Sequence, residues 1–254
     1  MTSEFSATTM PSGRRLAAAA LLFTFVVSAG IGEAAVTPSR VPPEPSLEAP
    51  AARELVAAVV EHYEAASSYE FSFVQESYWA LADTLKSTEG TLLVEDSGRI
   101  ALSYSDGGRA VADTETLKVF VPQTMQFFVT SVDPADVAVD PARLLSAYEP
   151  DRTAPFATAA RTGDAVVVNM VPRDRFGEPS RLEVTVNADR KEVTRILAHS
   201  STGDSTTYRI IRTRFDVAVR ENDFLLERPA NAEIIHGSPF GAGLGTEAGE
   251  EDSP

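Results

Sequence analysis

The residue types that most often carry catalysis are few in this chain and lie far apart. Its 254 residues include three histidines, His62, His199 and His236, and no cysteine. A zinc-protease motif needs two histidines four residues apart on one helix, and these three are dispersed. No serine lies in the glycine-flanked turn that exposes a nucleophile in α/β-hydrolases. The sequence therefore predicts a protein that is not an enzyme and uses no metal or cofactor.

Two other patterns imitate functional sites. Gly241-x-Gly243-x-Gly245 has the spacing of a phosphate-binding loop, but no strand pattern precedes it and no helix pattern follows. Asp133 and Asp136 form an acidic pair that we interpret as helix caps and solvated charge rather than paired catalytic acids. A dispersed Ser/His/Asp triad stays open as an alternative, because its members need not be close in sequence.

The N-terminal segment has the order of a secretory signal. Arg14 and Arg15 precede an apolar run over residues 16–31, and small residues follow up to Ala34. Basic, apolar and small residues in that order are typical of a signal peptide. The run is shorter than the roughly 20 residues of a membrane-spanning helix, although an uncleaved anchor is the alternative. We predict that residues 1–34 are a cleaved signal peptide and that the protein is periplasmic.

Composition divides the rest of the chain. Residues 35–50 include five prolines and predict an extended linker. Residues 237–254 are rich in glycine and then acidic, a composition that predicts a disordered tail. The folded domain is therefore predicted over residues 51–236. The net charge of −15 disfavours nucleic acid and anionic membrane surfaces as partners.

The predicted domain opens with an amphipathic helix. From Ala52 to Tyr63, apolar residues recur at helical spacing, whereas Arg53, Glu54 and Glu61 lie off that stripe. A helix of this kind must lay its apolar side on another apolar surface.

Short helices are also predicted in the middle of the chain. Asp133 and Asp140 each precede a proline, and an aspartate cap followed by proline favours the first turn of a helix. Pro141 would open a helix that carries Leu144 and Leu145. Together with the first helix, it could cover an apolar sheet face.

Most of the remaining sequence alternates with the period of a β-strand. The period of two appears over 69–73, 92–95, 99–104, 117–121 and 125–129, and again over 166–170, 182–186, 193–199 and 205–211. Asp106-Gly107-Gly108 is a tight-turn sequence. Short connections predict an antiparallel sheet, and the alternation predicts one covered face and one solvated face. The fold class is therefore α+β.

Short motifs of the domain resemble, in their order, the LolA-type periplasmic carriers of outer-membrane lipoproteins. The chain has Tyr69-x-x-x-Phe73-x-Gln75 after the amphipathic helix, then Gly90-Thr-Leu92. Near its end it has Thr213-Arg-Phe215 and a segment over residues 222–235 that is similar to the family's closing Phe-x-Phe-x-x-Pro. Between them lie Asp106-Gly107, a strand over 117–122 and Pro141-x-x-Leu144-Leu145.

The resemblance implies an incomplete antiparallel β-barrel, or half-barrel, with a hydrophobic concave face covered by helices. It implies a carrier that binds acyl chains of lipoproteins or lipids in a cavity, without chemistry. Its partners would be an inner-membrane ABC transporter and an outer-membrane receptor, and we expect a monomer. The residues predicted to line the cavity are Tyr69, Phe71, Phe73, Leu92, Val94, Ile100, Leu102, Tyr104, Val119, Val121 and Phe127. The predicted lid residues are Pro141, Leu144 and Leu145.

The chain departs from the family at one position. Where the family has a strand ending in Arg-Pro, whose arginine helps to fasten the lid, this chain has Asp96 and Ser97. The nearest basic residue, Arg99, precedes Ile100 and should point away from the cavity. The nature of the cargo therefore stays open.

Three alternatives remain. An RseB-type lipoprotein-sensing regulator would use the same fold, but it would carry a further C-terminal domain. A LolB-type receptor would need a lipidated cysteine, and the chain contains none. The predicted cavity residues could also form an ordinary packed core, since apolar residues on one strand face are usually core.

Overall fold

The computed structural model describes residues 46–47, 49–131, 141–151, 159–162, 164–173 and 179–236. The predicted signal peptide, most of the predicted linker, the acidic tail and the helix predicted after Asp133 lie outside the described residues. None of the helices within those residues is long and apolar enough to span a membrane.

The described residues contain two α-helices. α1, Ala49–Glu64, begins two residues before the predicted start of the domain. α2, Pro141–Ala147, begins at the proline that the sequence placed in its first turn. The positions of these two of the three predicted helices are thus confirmed.

Fourteen strands of the described residues form one sheet. The first seven are β1 Ser46–Leu47, β2 Ser68–Trp79, β3 Thr84–Glu95, β4 Ile100–Tyr104, β5 Arg109–Ala112, β6 Thr116–Val121 and β7 Gln126–Ser131. The other seven are β8 Tyr148–Pro150, β9 Ala159–Thr162, β10 Ala165–Pro172, β11 Arg181–Asn187, β12 Glu192–His199, β13 Ser205–Phe215 and β14 Glu233–His236.

The sheet is open and almost wholly antiparallel. Its order is β1-β9-β10-β11-β12-β13-β2-β3-β4-β5-β6-β7-β14, with β8 paired to β10. Within the part of the chain that the structure describes, only β14 is parallel to its neighbour, β7. The two ends of this order are separate edges, so the sheet is consistent with a half-barrel rather than a closed one. The three longest strands, β13, β2 and β3, are adjacent in the middle of the sheet.

The strands that the sequence did not predict are the short ones. β1, β8, β9 and β14 have two to four residues each, too few for alternation to be recognised. β1 also lies within the predicted linker, where Ser46 pairs with Ala160. The C-terminal end of the proline-rich stretch therefore joins the sheet.

Buried apolar residues form two clusters, one on each face of the sheet. The helix-face cluster joins residues of α1 and α2 to alternate residues of β2–β6 and β10–β12. The far-face cluster lies on the opposite side, where the chain after β13 crosses back over β4–β7. A 3₁₀ helix, Glu221–Phe224, belongs to that crossing segment. The members of the far-face cluster are Ala101, Val111, Phe127, Phe224, Leu226 and Ala232.

Candidate functional site

Ten of the eleven residues predicted to line a cavity lie together in the helix-face cluster. Their side chains occupy alternate positions on four strands, β2, β3, β4 and β6, and cross-strand pairing places them on one face. Phe73, Leu92 and Val119 are at most 1% exposed. The ten residues are Tyr69, Phe71, Phe73, Leu92, Val94, Ile100, Leu102, Tyr104, Val119 and Val121.

The eleventh residue, Phe127, was assigned to the wrong face. It pairs with Phe120, whereas its neighbour Phe128 pairs with Val119. Because directly opposed residues share a face, Phe128 points to the helix side and Phe127 to the far side. Phe127 accordingly packs in the far-face cluster.

The predicted lid residues are all buried on α2. Leu144 and Leu145 belong to the helix-face cluster, and Pro141 is buried at the start of the helix. α2 packs against α1 and against β8. The two helices are therefore neighbours, and both contribute residues to the helix-face cluster.

The C-terminal end of α1 is attached to the sheet by aromatic rings. Tyr63 meets Tyr69 edge to face, with 5.0 Å between ring centroids, and meets Phe215 at 5.3 Å. His62 also contacts Phe215, at 4.6 Å. The backbone N–H of Val193 donates to the Tyr63 hydroxyl over 3.2 Å. This end of the helix is thus fixed by both packing and a buried hydrogen bond.

A second part of the helix-face cluster was not predicted as part of the site. Residues on β10, β11 and β12 alternate in the same way as those on β2–β6, but they were interpreted only as strands. They lie on the same face because each strand pairs in register with the next across the middle of the sheet. These residues are Val166, Val168, Met170, Leu182, Val184, Val186 and Ile196.

An aromatic group marks the middle of the helix face. The ring of Phe73 meets Phe71, Tyr104 and Tyr208 at centroid distances of 5.9, 5.8 and 5.7 Å, each edge to face. Burial raises the pKa of both tyrosines well above the ordinary value, so both phenols are neutral at physiological pH.

Beyond Phe73, the helix face becomes polar. Gln75, Ser77 and Thr206 are buried there, at 5%, 6% and 6% exposure. The Tyr104 hydroxyl donates to Gln75 Oε1 over 2.8 Å, and Gln75 Nε2 donates to Ser77 Oγ over 3.1 Å. The apolar surface therefore ends in an ordered hydrogen-bonded row. Gln75 belongs to the Tyr69-x-x-x-Phe73-x-Gln75 motif, but the sequence predicted no role for it.

Arg99 points away from the helix face, as its position beside Ile100 predicts. Its guanidinium donates to Glu95 over 2.7 Å and to Glu221 over 2.7 Å. It also lies 4.6 Å from the ring centroid of Phe224 in the far-face cluster. Hydrogen bonds from Arg99 and Ser97 lower the pKa of Glu95. Arg99 thus attaches the crossing segment to the far side of the sheet.

The described histidines lie apart. His62 packs on Phe215, whereas His199 lies beside Glu183 and Arg181 on other strands. Among the residues placed by the structure, no three histidine, cysteine or acidic side chains are grouped so that they could hold a metal ion.

No protein-family model and no curated protein sequence matches the chain. Among solved structures, it is similar to an uncharacterized conserved protein from Thermus thermophilus, with a TM-score of 0.47 and 10% identity over 72% of this chain and 98% of that one. It is also similar to a LolA superfamily protein from Nitrosomonas europaea, with a TM-score of 0.40 and 12% identity over 71% of this chain and 99% of that one. With the MucA/MucB complex of Pseudomonas aeruginosa the TM-score is 0.39 and the identity 19%, over 70% of this chain and 61% of that one.

Proposed function

We propose that the protein is a periplasmic carrier that binds acyl chains of lipoproteins or lipids on its helix face and moves them from the inner to the outer membrane. The observation that carries this proposal is the helix-face cluster, a continuous apolar surface shared between an open sheet and two helices. An open sheet with separable helices has a face that a ligand can reach, which a closed barrel with a filled interior lacks.

The free-energy cost of exposing an acyl chain to water determines how much apolar surface a carrier needs. Removing an acyl chain from a membrane exposes apolar surface at a cost of about 0.8 kcal/mol for each methylene group. A soluble carrier must replace that burial with its own side chains. Phe71, Phe73, Leu92 and Leu102 lie adjacent on three neighbouring strands and offer such a surface once the helices move.

The helices supply the means of opening. α2 contacts α1 and β8, and α1 is held at its end by Tyr63. We expect the two helices to move as a unit about this anchored end, with Leu144 and Leu145 leaving the cluster and an acyl chain taking their place. In this mechanism no covalent step occurs, and release follows when the helices return.

Two measurements on the delipidated protein test the proposal. A fluorescent fatty acid is titrated into the protein, and saturable binding is expected. Transfer of a fluorescent lipopeptide between two vesicle populations is then followed with and without the protein, and faster transfer is expected.

The outcomes distinguish the alternatives. Saturable binding without faster transfer would favour a lipoprotein-sensing regulator over a carrier. Absence of binding by a correctly folded protein would make the helix-face cluster an ordinary core and end the proposal.

A further inference from the structure

The helix face changes from apolar to polar along the central strands. On β2, Phe73 is followed on the same side by Gln75 and Ser77. On β3, the residues opposite them are Thr88 and Lys86, where the register pairs Gln75 with Thr88 and Ser77 with Lys86. The same face that would hold an acyl chain therefore continues directly into hydrogen-bonding side chains.

The polar row of Tyr104, Gln75 and Ser77 is buried and hydrogen-bonded. Gln75 and Ser77 are more than nine-tenths buried, and burying polar side chains is costly unless they have hydrogen-bond partners. The Tyr104 hydroxyl donates to the side-chain oxygen of Gln75, and the side-chain amide nitrogen of Gln75 donates to the Ser77 hydroxyl oxygen. Because Ser77 Oγ accepts from Gln75, its own hydroxyl proton can be donated onward.

A narrow cleft opens beside this row. It is lined by Gln75, Ser77, Thr88, Tyr104, Lys86 and Asp106, with Trp79 at its side, and its volume is about 20 Å³. A single water needs roughly 10–15 Å³ by the same measure, so the cleft admits one oxygen atom with its carbon and not a phosphate or a sugar. Lys86 Nζ lies 3.8 Å from Asp106 Oδ2, so the ammonium and the carboxylate form an ion pair at the cleft. The hydroxyls of Ser77 and Thr88 can each donate to an oxygen that accepts hydrogen bonds.

We propose that this cleft binds the carbonyl oxygen that links an acyl chain to its head group, as an ester or an amide. The chain would then lie over Phe73 and Phe71, with its head beyond Trp79. Ser77 and Thr88 would donate to the carbonyl, and Gln75 would hold Ser77 in position. This inference rests on the proposed function, because it names the chemical class that the carrier recognises.

Competition with matched ligands tests it. Full-length protein is loaded with a fluorescent fatty acid, which is displaced by monolauroylglycerol, by N-lauroylethanolamine, or by dodecylglycerol ether, all below their micelle concentrations. The ether has the same chain and a hydroxylated head but no carbonyl. A neutral hydrogen bond corresponds to about a three- to tenfold change in affinity, so the ester or the amide should bind that much more tightly than the ether.

Variants locate the effect. Thr88→Val keeps the shape of the side chain and removes its hydroxyl, and Ser77→Ala removes the buried donor. Both should reduce the preference for the carbonyl compounds while leaving ether affinity within about twofold, since one hydrogen bond is lost and the apolar contacts stay. Thr91→Val, on the opposite side of β3, is the control and should change neither.

Failure of this inference can be distinguished from failure of the carrier proposal. Equal affinity of the ester, the amide and the ether would overturn the inference but leave the carrier proposal intact. Displacement by none of them, with no probe binding, would end the carrier proposal itself. A preference that survives in both Thr88→Val and Ser77→Ala would also overturn the assignment to this cleft. Denaturant melts show whether Ser77→Ala is folded. Thr88 is less buried than Ser77, so Thr88→Val provides the test if Ser77→Ala folds poorly.

Discussion

The ring of Phe73 lies over Gly90, its directly opposed partner on β3. A Cβ atom at Gly90 would be 2.5 Å from Cζ of that ring and 3.0 Å from both Cε atoms. Contacts that short force one of the two groups to move. Glycine is therefore needed here for space, since its φ is not in the left-handed region, and the motif glycine and the motif phenylalanine act as a pair.

Gly90→Ala should lower stability by displacing the Phe73 ring. Overpacking of this kind costs about 1–3 kcal/mol. Phe73→Leu removes the atoms that would clash, so Gly90→Ala in a Phe73→Leu background should cost clearly less than in the wild type. Urea unfolding of the four proteins measures this coupling, with Thr91→Ala as a neighbouring control on the far face. Additive losses would contradict the pairing.

The motif could be read in the sequence, but the reason for its glycine could not. Nothing in the string Gly90-Thr91-Leu92 states which residue lies across the strand, because cross-strand register depends on pairing and turn length rather than on local pattern. The register of β2 with β3 places Phe73 there. The alternation of Tyr69, Phe71 and Phe73 was enough to predict a shared face, and it did so correctly.

Phe127 shows where alternation stops being informative. Phe127 and Phe128 are adjacent and equally apolar, so the pattern fits either face. Only the pairing of Phe128 with Val119 decides between them. The second apolar cluster on the far face was also not predicted, because Phe224 and Leu226 follow no strand or helix period and reach β4–β7 by a return of the chain.

A charge on the buried side of α2 should abolish acyl binding. Leu144 is 6% exposed within the helix-face cluster, and a carboxylate there would lack a partner and be costly to bury. In Leu144→Glu the carboxylate would lie against the face that takes the acyl chain, so probe binding should weaken by tenfold or more, while the sheet keeps its far-ultraviolet circular dichroism. Ser146→Glu places the same charge on an exposed position of the same helix and should bind normally. Global unfolding of Leu144→Glu would instead identify Leu144 as indispensable core.

Removing the Tyr63 hydroxyl should weaken the anchor of α1. In Tyr63→Phe the backbone N–H of Val193 loses its acceptor in a buried position, at a cost of about 1–3 kcal/mol. The aromatic contacts with Tyr69 and Phe215 are kept, so the fold should persist. Hydrogen exchange at the Val193 amide should become faster. Tyr78→Phe removes an exposed hydroxyl that donates to Asp83 and should change stability by less than about 0.5 kcal/mol.

The Glu95–Arg99 pair predicts a pH-dependent contribution to stability. Hydrogen bonds from Arg99 and Ser97 lower the pKa of Glu95 in the folded protein below its ordinary 4.5. A lowered folded-state pKa means that the stabilisation is present above pH 4.5 and is lost as the pH falls through the folded value. Glu95→Gln should therefore be less stable than the wild type at pH 7 by about 1 kcal/mol or less, and the difference should shrink as the pH falls below 4.5. Glu115→Gln, an exposed turn residue, is the control in urea melts at pH 7, 5 and 3.

A pair of phenylalanines on opposite faces separates a ligand-binding surface from ordinary core. Phe71 is 3% exposed in the helix-face cluster and Phe127 is 5% exposed in the far-face cluster of the same sheet. Either one changed to alanine loses about the same buried area, so each should cost about 3–5 kcal/mol in the free energy of unfolding. If acyl chains bind on the helix face, Phe71→Ala should change fluorescent fatty-acid affinity severalfold, because the chain contacts that ring. Phe127→Ala should leave the affinity unchanged, and Phe71→Leu and Phe127→Leu provide milder versions should either alanine variant unfold. Equal effects of the two substitutions on probe affinity would mean that they act through stability alone, and the helix face would then have no special relation to the ligand.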